Sequence, residues 1–201
     1  MGGTPAPDYK IQTFQRNKMK LQENSLKNIR TVTTTALLTA ALSVSSLFVI
    51  PIPFSPVVLS LQTIIINLIA LILSPIQSFY CVGVYIIMGA IGLPVFSGGT
   101  SGIGKLFGPT GGFYFGFLLS AVVISLLKGK KISFRRYLFL TIAVGIPIQH
   151  LCAILMMCIH NGFDISAAFY SVSLPFVLGD IVKCIASCMI GVKVVRAVKN
   201  E

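Results

Sequence analysis

Residues 57–93 read VVLSLQTIIINLIALILSPIQSFYCVGVYIIMGAIGL, from Val57 to Leu93, without one charged side chain. The step Ser74-Pro75 divides this stretch into two apolar runs, Val57–Leu73 and Ile76–Leu93, each close to the roughly 20 residues a helix needs to cross the hydrocarbon of a bilayer. Working outward, no charge of either sign lies between Arg30 and Lys105, and no Asp or Glu between Arg30 and Asp164. Four more apolar runs follow the same pattern: Val32–Ile50, Gly111–Leu127, Tyr137–Ile159 and Leu174–Val195. In lipid the backbone of each run has to satisfy itself, and the alternation of a barrel strand is missing, so helix is the state expected. The expected fold is an all-α, polytopic membrane bundle of six transmembrane helices. With 55% hydrophobic and 10% charged residues and a mean hydropathy of +0.89, the composition also belongs to lipid rather than water.

The net charge of +11 would suggest nucleic acid in a soluble protein, but its placement makes it a topology signal and excludes that partner. Basic residues gather before the first span (Lys10, Arg16, Lys18, Lys20, Lys27, Arg30), in one loop (Lys128, Lys130, Lys131, Arg135, Arg136) and at the end (Lys193, Arg196, Lys199), fourteen of the sixteen in all. Six spans put those three places on one side, which the positive-inside rule makes the cytoplasm, with both termini there. The chain then divides into an N-terminal cytoplasmic tail, 1–31, and a six-helix transmembrane domain, 32–198. Residues 1–18, with Gly2, Gly3, Pro5 and Pro7, show no apolar period, and no function is assigned to them. The first span is too long for the core of a signal peptide and is retained as a helix.

The five cysteines lie inside apolar runs, with no CxxC and no histidine at ligand spacing, and read as small buried hydrophobes. Residues Gly92–Gly112 spend about twenty positions on Gly, Ser, Thr, Pro and aromatics, where a tether needs only a few, and so read as a binding loop outside the membrane. Within it Gly99-Thr-Ser-Gly-Ile-Gly-Lys105 nearly spells a phosphate loop, but Leu106 stands where a Ser or Thr should hold Mg²⁺. Gly99-Thr-Ser-Gly102 also matches the GxSG of rhomboid proteases, the main enzyme alternative. The general base those enzymes take from their last span is missing here, since His150 and His160 fall in or after the fifth, where both read as structural or interfacial.

Asp180 and Lys183 stand well inside the last span, at a cost of about 2.5–3.5 kcal/mol each at the bilayer centre. Three residues apart on one helix face they can pair, yet a pair alone leaves donors and acceptors unfilled, and such groups are the expected ligand contacts. Ala36-Leu-Leu-Thr-Ala40 and Gly108/Gly112/Gly116 are small-xxx-small patterns, which suit either packing within the bundle or docking to a partner.

Taken in order, Leu61-Gln62-Thr63, Gly89-Ala-Ile-Gly-Leu-Pro-Val-Phe-Ser-Gly-Gly99, Leu106-Phe-Gly-Pro-Thr-Gly-Gly-Phe113 and Leu174-Pro-Phe-Val-Leu-Gly-Asp-Ile-Val-Lys183 closely resemble the BioY family, and the resemblance runs from about residue 30 to 198. It implies a biotin-specific S component of an energy-coupling-factor transporter in the bacterial cytoplasmic membrane, with no cofactor, metal or catalytic residue. It further implies an outward-open pocket roofed by the loops after helices one and three. The partners it implies are a transmembrane coupling protein and two cytoplasmic ATPases, docked through Ala36 and Ala40.

The chemistry of the charged residues agrees with that ligand. Biotin's ureido ring offers two N–H donors and a carbonyl acceptor, complementary to a carboxylate beside an ammonium. Asp180 would accept from N–H, Lys183 donate to C=O, and Lys105 take the valerate carboxylate. The reversed pose, with Lys183 on the carboxylate, stays open. Tyr85, Phe96, Phe54 and Gln62 are the further lining residues expected, and an S component for another vitamin is the nearest alternative.

Overall fold

The computed structural model of the chain describes residues 29–51, 58–162 and 164–199. Helix α1 covers residues 29–45 and is followed by a two-stranded antiparallel hairpin, β1 (Val49–Pro51) and β2 (Val58–Ser60), in the register Val49 to Ser60, Ile50 to Leu59 and Pro51 to Val58. Then come α2 (Gln62–Ile72), α3 (Pro75–Ala90), the single turn α4 (Ile103–Leu106) and α5 (Gly112–Leu127). A long rod is made of α6 (Phe134–Leu140), a π-helical turn (Thr141–Gly145) and α7 (Ile146–Asn161), and the chain ends in α8 (Ile165–Val172) and α9 (Leu174–Lys199).

The six expected spans correspond to α1, α2, α3, α5, the α6–α7 rod and α9, but two of their boundaries are corrected. The first was expected to run to Ile50 and the second to begin at Val57; instead α1 stops at residue 45 and α2 starts at Gln62, and the intervening ends form the hairpin. Proline explains this. Pro51 forces Ile50 away from the helical region, and Pro53 and Pro56 follow in the same connection. Ser45 and Ser46 donate to the carbonyls of Leu42 and Ser43 at 2.7 and 2.6 Å, occupying carbonyls that the ended helix leaves open. A second departure is α8, a short helix between the last two spans that hydropathy alone does not separate from them.

The rod Phe134–Asn161 and the helix Leu174–Ala197 are each long and apolar enough to cross a membrane, whereas α2, α3 and α5 are shorter apolar helices of 11 to 16 residues. Pro147 accounts for the π turn within the rod, because it has no N–H to offer the turn before it. Helix α2 lies at the centre, packed on α3, α5 and α9, and its Ile66, Ile69 and Leu71 join Leu42, Val82, Phe117 and Ile124 in the core. Its C-terminal carbonyls are met by side chains: Lys128 Nζ donates to Ala70 O at 3.0 Å and also to Leu73 O, which Ser125 Oγ reaches at 2.6 Å. Helix α3 opens on a capping box, Ser74 with Gln77, with Pro75 in the first turn.

Around the outside, Leu37, Phe79, Ile87, Leu119, Leu155, Leu178 and Val182 are exposed, a perimeter suited to acyl chains. Polar groups within the spans turn inward or onto their own helix: Thr35, Thr39 and Ser43 donate to the carbonyls four residues back at 2.9, 2.9 and 3.0 Å. The glycine pattern at Gly112 and Gly116 serves packing within the bundle. A Cβ at Gly112 would collide with the Cys152 carbonyl, and one at Gly116 would come within 2.8 Å of Gln149 Cα, so α5 and α7 meet backbone to backbone.

Candidate ligand-binding site

At one end of the bundle β2, the loop after α3, α4 and the first turns of α5 and α9 enclose a cavity of about 250 Å³. Asp180 and Lys183 lie along one wall, both buried, with Lys183 Nζ 2.9 Å from Asp180 Oδ1. Their spacing on α9 puts the two side chains one above the other, as expected. The second carboxylate oxygen, Oδ2, is 3.0 Å from Nε2 of His150 on α7, and Nδ1 of that ring is 2.9 Å from Ser173 Oγ at the turn between α8 and α9. A carboxylate only accepts, so the network assigns the proton to Nε2; in the neutral ring Nδ1 then accepts from the Ser173 hydroxyl. The Phe113 ring and the imidazole meet in a T-shaped arrangement, with centroids 5.9 Å apart.

Lys105, on α4, lines the same cavity together with Ser97, Thr100 and Thr110. Among the described residues no carboxylate lies within salt-bridge reach of it. Phe113, Tyr114, Phe117 and Phe176 supply apolar and aromatic lining. The site therefore offers a buried carboxylate and ammonium, a second ammonium and aromatic surface in one cavity.

Gln62, Tyr85 and Phe96 are fully buried and stand one layer behind the lining residues. Gln62 Nε2 donates to Tyr85 Oη at 2.5 Å, while its Oε1 accepts from Ser60 Oγ at 3.2 Å and Ser97 Oγ at 2.6 Å. Phe96 stacks on Tyr114 at 4.2 Å and occupies the space a side chain at residue 89 would need, so Gly89 is what lets the loop fold down. The same loop is tied to the turn after α1 by Gly98 N–H donating to Ser46 O at 2.9 Å, and to α3 by Gly102 N–H donating to Gly89 O at 2.7 Å. These three residues hold in place the wall that Ser60, Ser97 and Tyr114 present. Phe54 lies outside the described residues. Ala36 and Ala40 lie elsewhere, exposed in an apolar groove between α1 and α3 with Thr35, Tyr80, Val84 and Met88.

Sequence reasoning read His150 as structural or interfacial and did not connect it to Asp180, whose carboxylate the ring meets in the structure. The signal was available, since an ionisable ring inside an apolar span is as conspicuous as Asp180 itself. Ser101 of the GxSG stretch gains no base from it, because both ring nitrogens are engaged by Ser173 and Asp180.

A family model described as the BioY family matches residues 16–200. The chain belongs to the BioY family. It is 36% identical to the biotin transporter BioY2 of Lactococcus lactis subsp. cremoris, over 84% of this chain and 92% of that one. It is 37% identical to the biotin transporter BioY of Thermotoga maritima, over 72% and 84%. Among solved structures it resembles the S-component for biotin from an ECF-type ABC transporter, with a TM-score of 0.78, 26% identity, and coverage of 84% of this chain and 92% of the other. For this BioY chain the likeness extends over the bundle, so the all-α membrane fold is that of an S component.

Proposed function

We infer that this chain captures biotin and serves in its uptake as the S component of an ECF-type transporter; it is not an enzyme. The observation that carries this reading is one cavity with Asp180 and Lys183 on its wall and Lys105 also lining it. Biotin is a matching molecule, with a ureido head that both donates and accepts and a carboxylate at the end of an apolar chain. Asp180 accepts from the ureido N–H, Lys183 donates to its carbonyl, and Lys105 takes the carboxylate. Gln62, Tyr85 and Phe96 act by supporting the wall, and Phe54 is a further residue proposed for the ligand.

The protein resides in the bacterial cytoplasmic membrane with both termini and the basic loop inside, which leaves the Gly92–Gly112 loop and the cavity on the outer side. Residues 1–31 form the cytoplasmic tail and 32–198 the substrate-binding bundle. A transmembrane coupling protein, working with two cytoplasmic ATPases, docks on the Ala36 and Ala40 face, where small side chains in an apolar groove permit close helix approach. Equilibrium binding of biotin to the purified protein tests the reading, with riboflavin and thiamine as competitors. Displacement of biotin by neither vitamin is the expected result; preferential retention of one of them instead of biotin would assign the site to another S component.

A further inference from the structure

His150 is 4% exposed and Ser173 3%, yet neither is among the residues that line the cavity; the imidazole meets Asp180 without itself lining the ligand space. Burying an imidazole inside the membrane is costly unless both nitrogens are matched, and here Ser173 and Asp180 match them one each. Lys183 holds the other carboxylate oxygen, but it faces the cavity and is shared with an incoming ligand. His150 has no such competing duty. It is the partner of Asp180 whose two ring nitrogens are both engaged within the protein.

We propose that His150, its donor tautomer held by Ser173, is the positioning residue that fixes the Asp180 carboxylate plane for the ligand's N–H groups, and so gives the site its selectivity for an unblocked cyclic urea. The proposal rests on the biotin reading. Each Asp180 oxygen already accepts one bond, from Lys183 or from His150, and retains a further lone pair; with the carboxylate held at both oxygens, those lone pairs point in set directions. Ser173 also begins the turn that carries Phe176, since Phe176 N–H and Val177 N–H donate to Ser173 O at 3.0 and 3.2 Å. The same contact therefore registers the aromatic wall at Phe176 against the carboxylate.

The experiment compares biotin with biotin methylated on a ureido nitrogen, using the nitrogen that wild type discriminates more strongly, by equilibrium binding to the purified full chain and to His150→Phe, His150→Gln and Ser173→Ala. In His150→Phe biotin affinity falls about tenfold to a hundredfold, the cost of one lost hydrogen bond to a charged group. Affinity for the methylated ligand falls far less, so the discrimination ratio shrinks. His150→Gln, whose amide N–H can replace the ring N–H, recovers most of the ratio, and Ser173→Ala shifts it in the same direction as His150→Phe by a smaller factor. Equal loss for both ligands, with no recovery in His150→Gln, would make His150 a packing residue and overturn the proposal. If His150→Phe does not fold, an unchanged ratio in both other variants overturns it equally. A wild-type protein that binds no biotin would instead overturn the reading on which the proposal rests.

Discussion

Gly112 of α5 lies directly against the carbonyl of Cys152 on α7, with no space for a Cβ between them. Two residues before Cys152, α7 carries His150, so the contact that brings the helices together also sets the height of the imidazole beside Asp180. Gly112→Ala is expected to force the helices apart and lower stability by about 1–3 kcal/mol, the range for overpacking. Gly83→Ala on α3 is the control, because a Cβ there meets nothing within 4 Å. Thermal unfolding in detergent of both variants checks this: a clear fall for the first, and no fall for the second.

The spans were legible because a charge-free apolar run in lipid has one way to satisfy its backbone, and the run around Ser74-Pro75 needed no tertiary information to be read. Their ends were less so. Hydropathy does not register that Ile50 precedes a proline, nor that the apolar segment Ile165–Val172 turns back as a separate helix. At the site, Asp180 and Lys183 were conspicuous because charge inside a span demands a partner. Which layer Gln62, Tyr85 and Phe96 occupy depends on how the loop after α3 folds over Gly89, and the partner of His150 depends on how the packing of α7 on α5 and α8 sets that ring beside Asp180. Neither is a property of any local pattern.

Ala36 and Ala40 are expected to carry the coupling partner without touching the biotin site, since the groove they line shares no residue with the cavity. Replacing either with Trp should block uptake in cells and co-purification of the coupling protein while biotin affinity of the isolated chain stays near wild type. Loss of biotin affinity in parallel would mean the bundle itself had been damaged.

Ser101, partly exposed in the loop after α3, reports sidedness. In a background with Cys81, Cys152, Cys158, Cys184 and Cys188 replaced, Ser101→Cys should react with a membrane-impermeant thiol reagent in intact cells. Reaction only after permeabilisation would turn the bundle over and remove Lys105 from the entry side.

Lys105 is expected to recognise the carboxylate end of the ligand. Lys105→Met should weaken biotin binding by about 1.5–3 kcal/mol, the worth of a charged hydrogen bond, and leave binding of biotin methyl ester nearly unchanged. If the methyl ester weakens equally, Lys105 holds the loop rather than the ligand, and the reversed pose on Lys183 gains ground.

Asp180 and Lys183 admit two explanations that separate in a double-mutant cycle. Asp180→Asn strands the buried ammonium of Lys183, so a loss of about 3–5 kcal/mol of stability is expected whatever the pair does. Combining Asp180→Asn with Lys183→Met takes the stranded charge away, and the Asn carbonyl oxygen still accepts from His150, so stability should return. A pair present only to neutralise itself would then leave biotin affinity near native. A pair that reads the ureido ring would not, because the double variant leaves the ligand's donors and carbonyl unmatched in a dry wall, at about 1–3 kcal/mol for each unsatisfied group. Thermal stability and biotin affinity measured on wild type, both single variants and the double variant complete the cycle. The expected outcome is a double variant that unfolds near the wild-type temperature yet binds biotin at least tenfold more weakly, and a stable double variant with native affinity would remove both residues from the binding site.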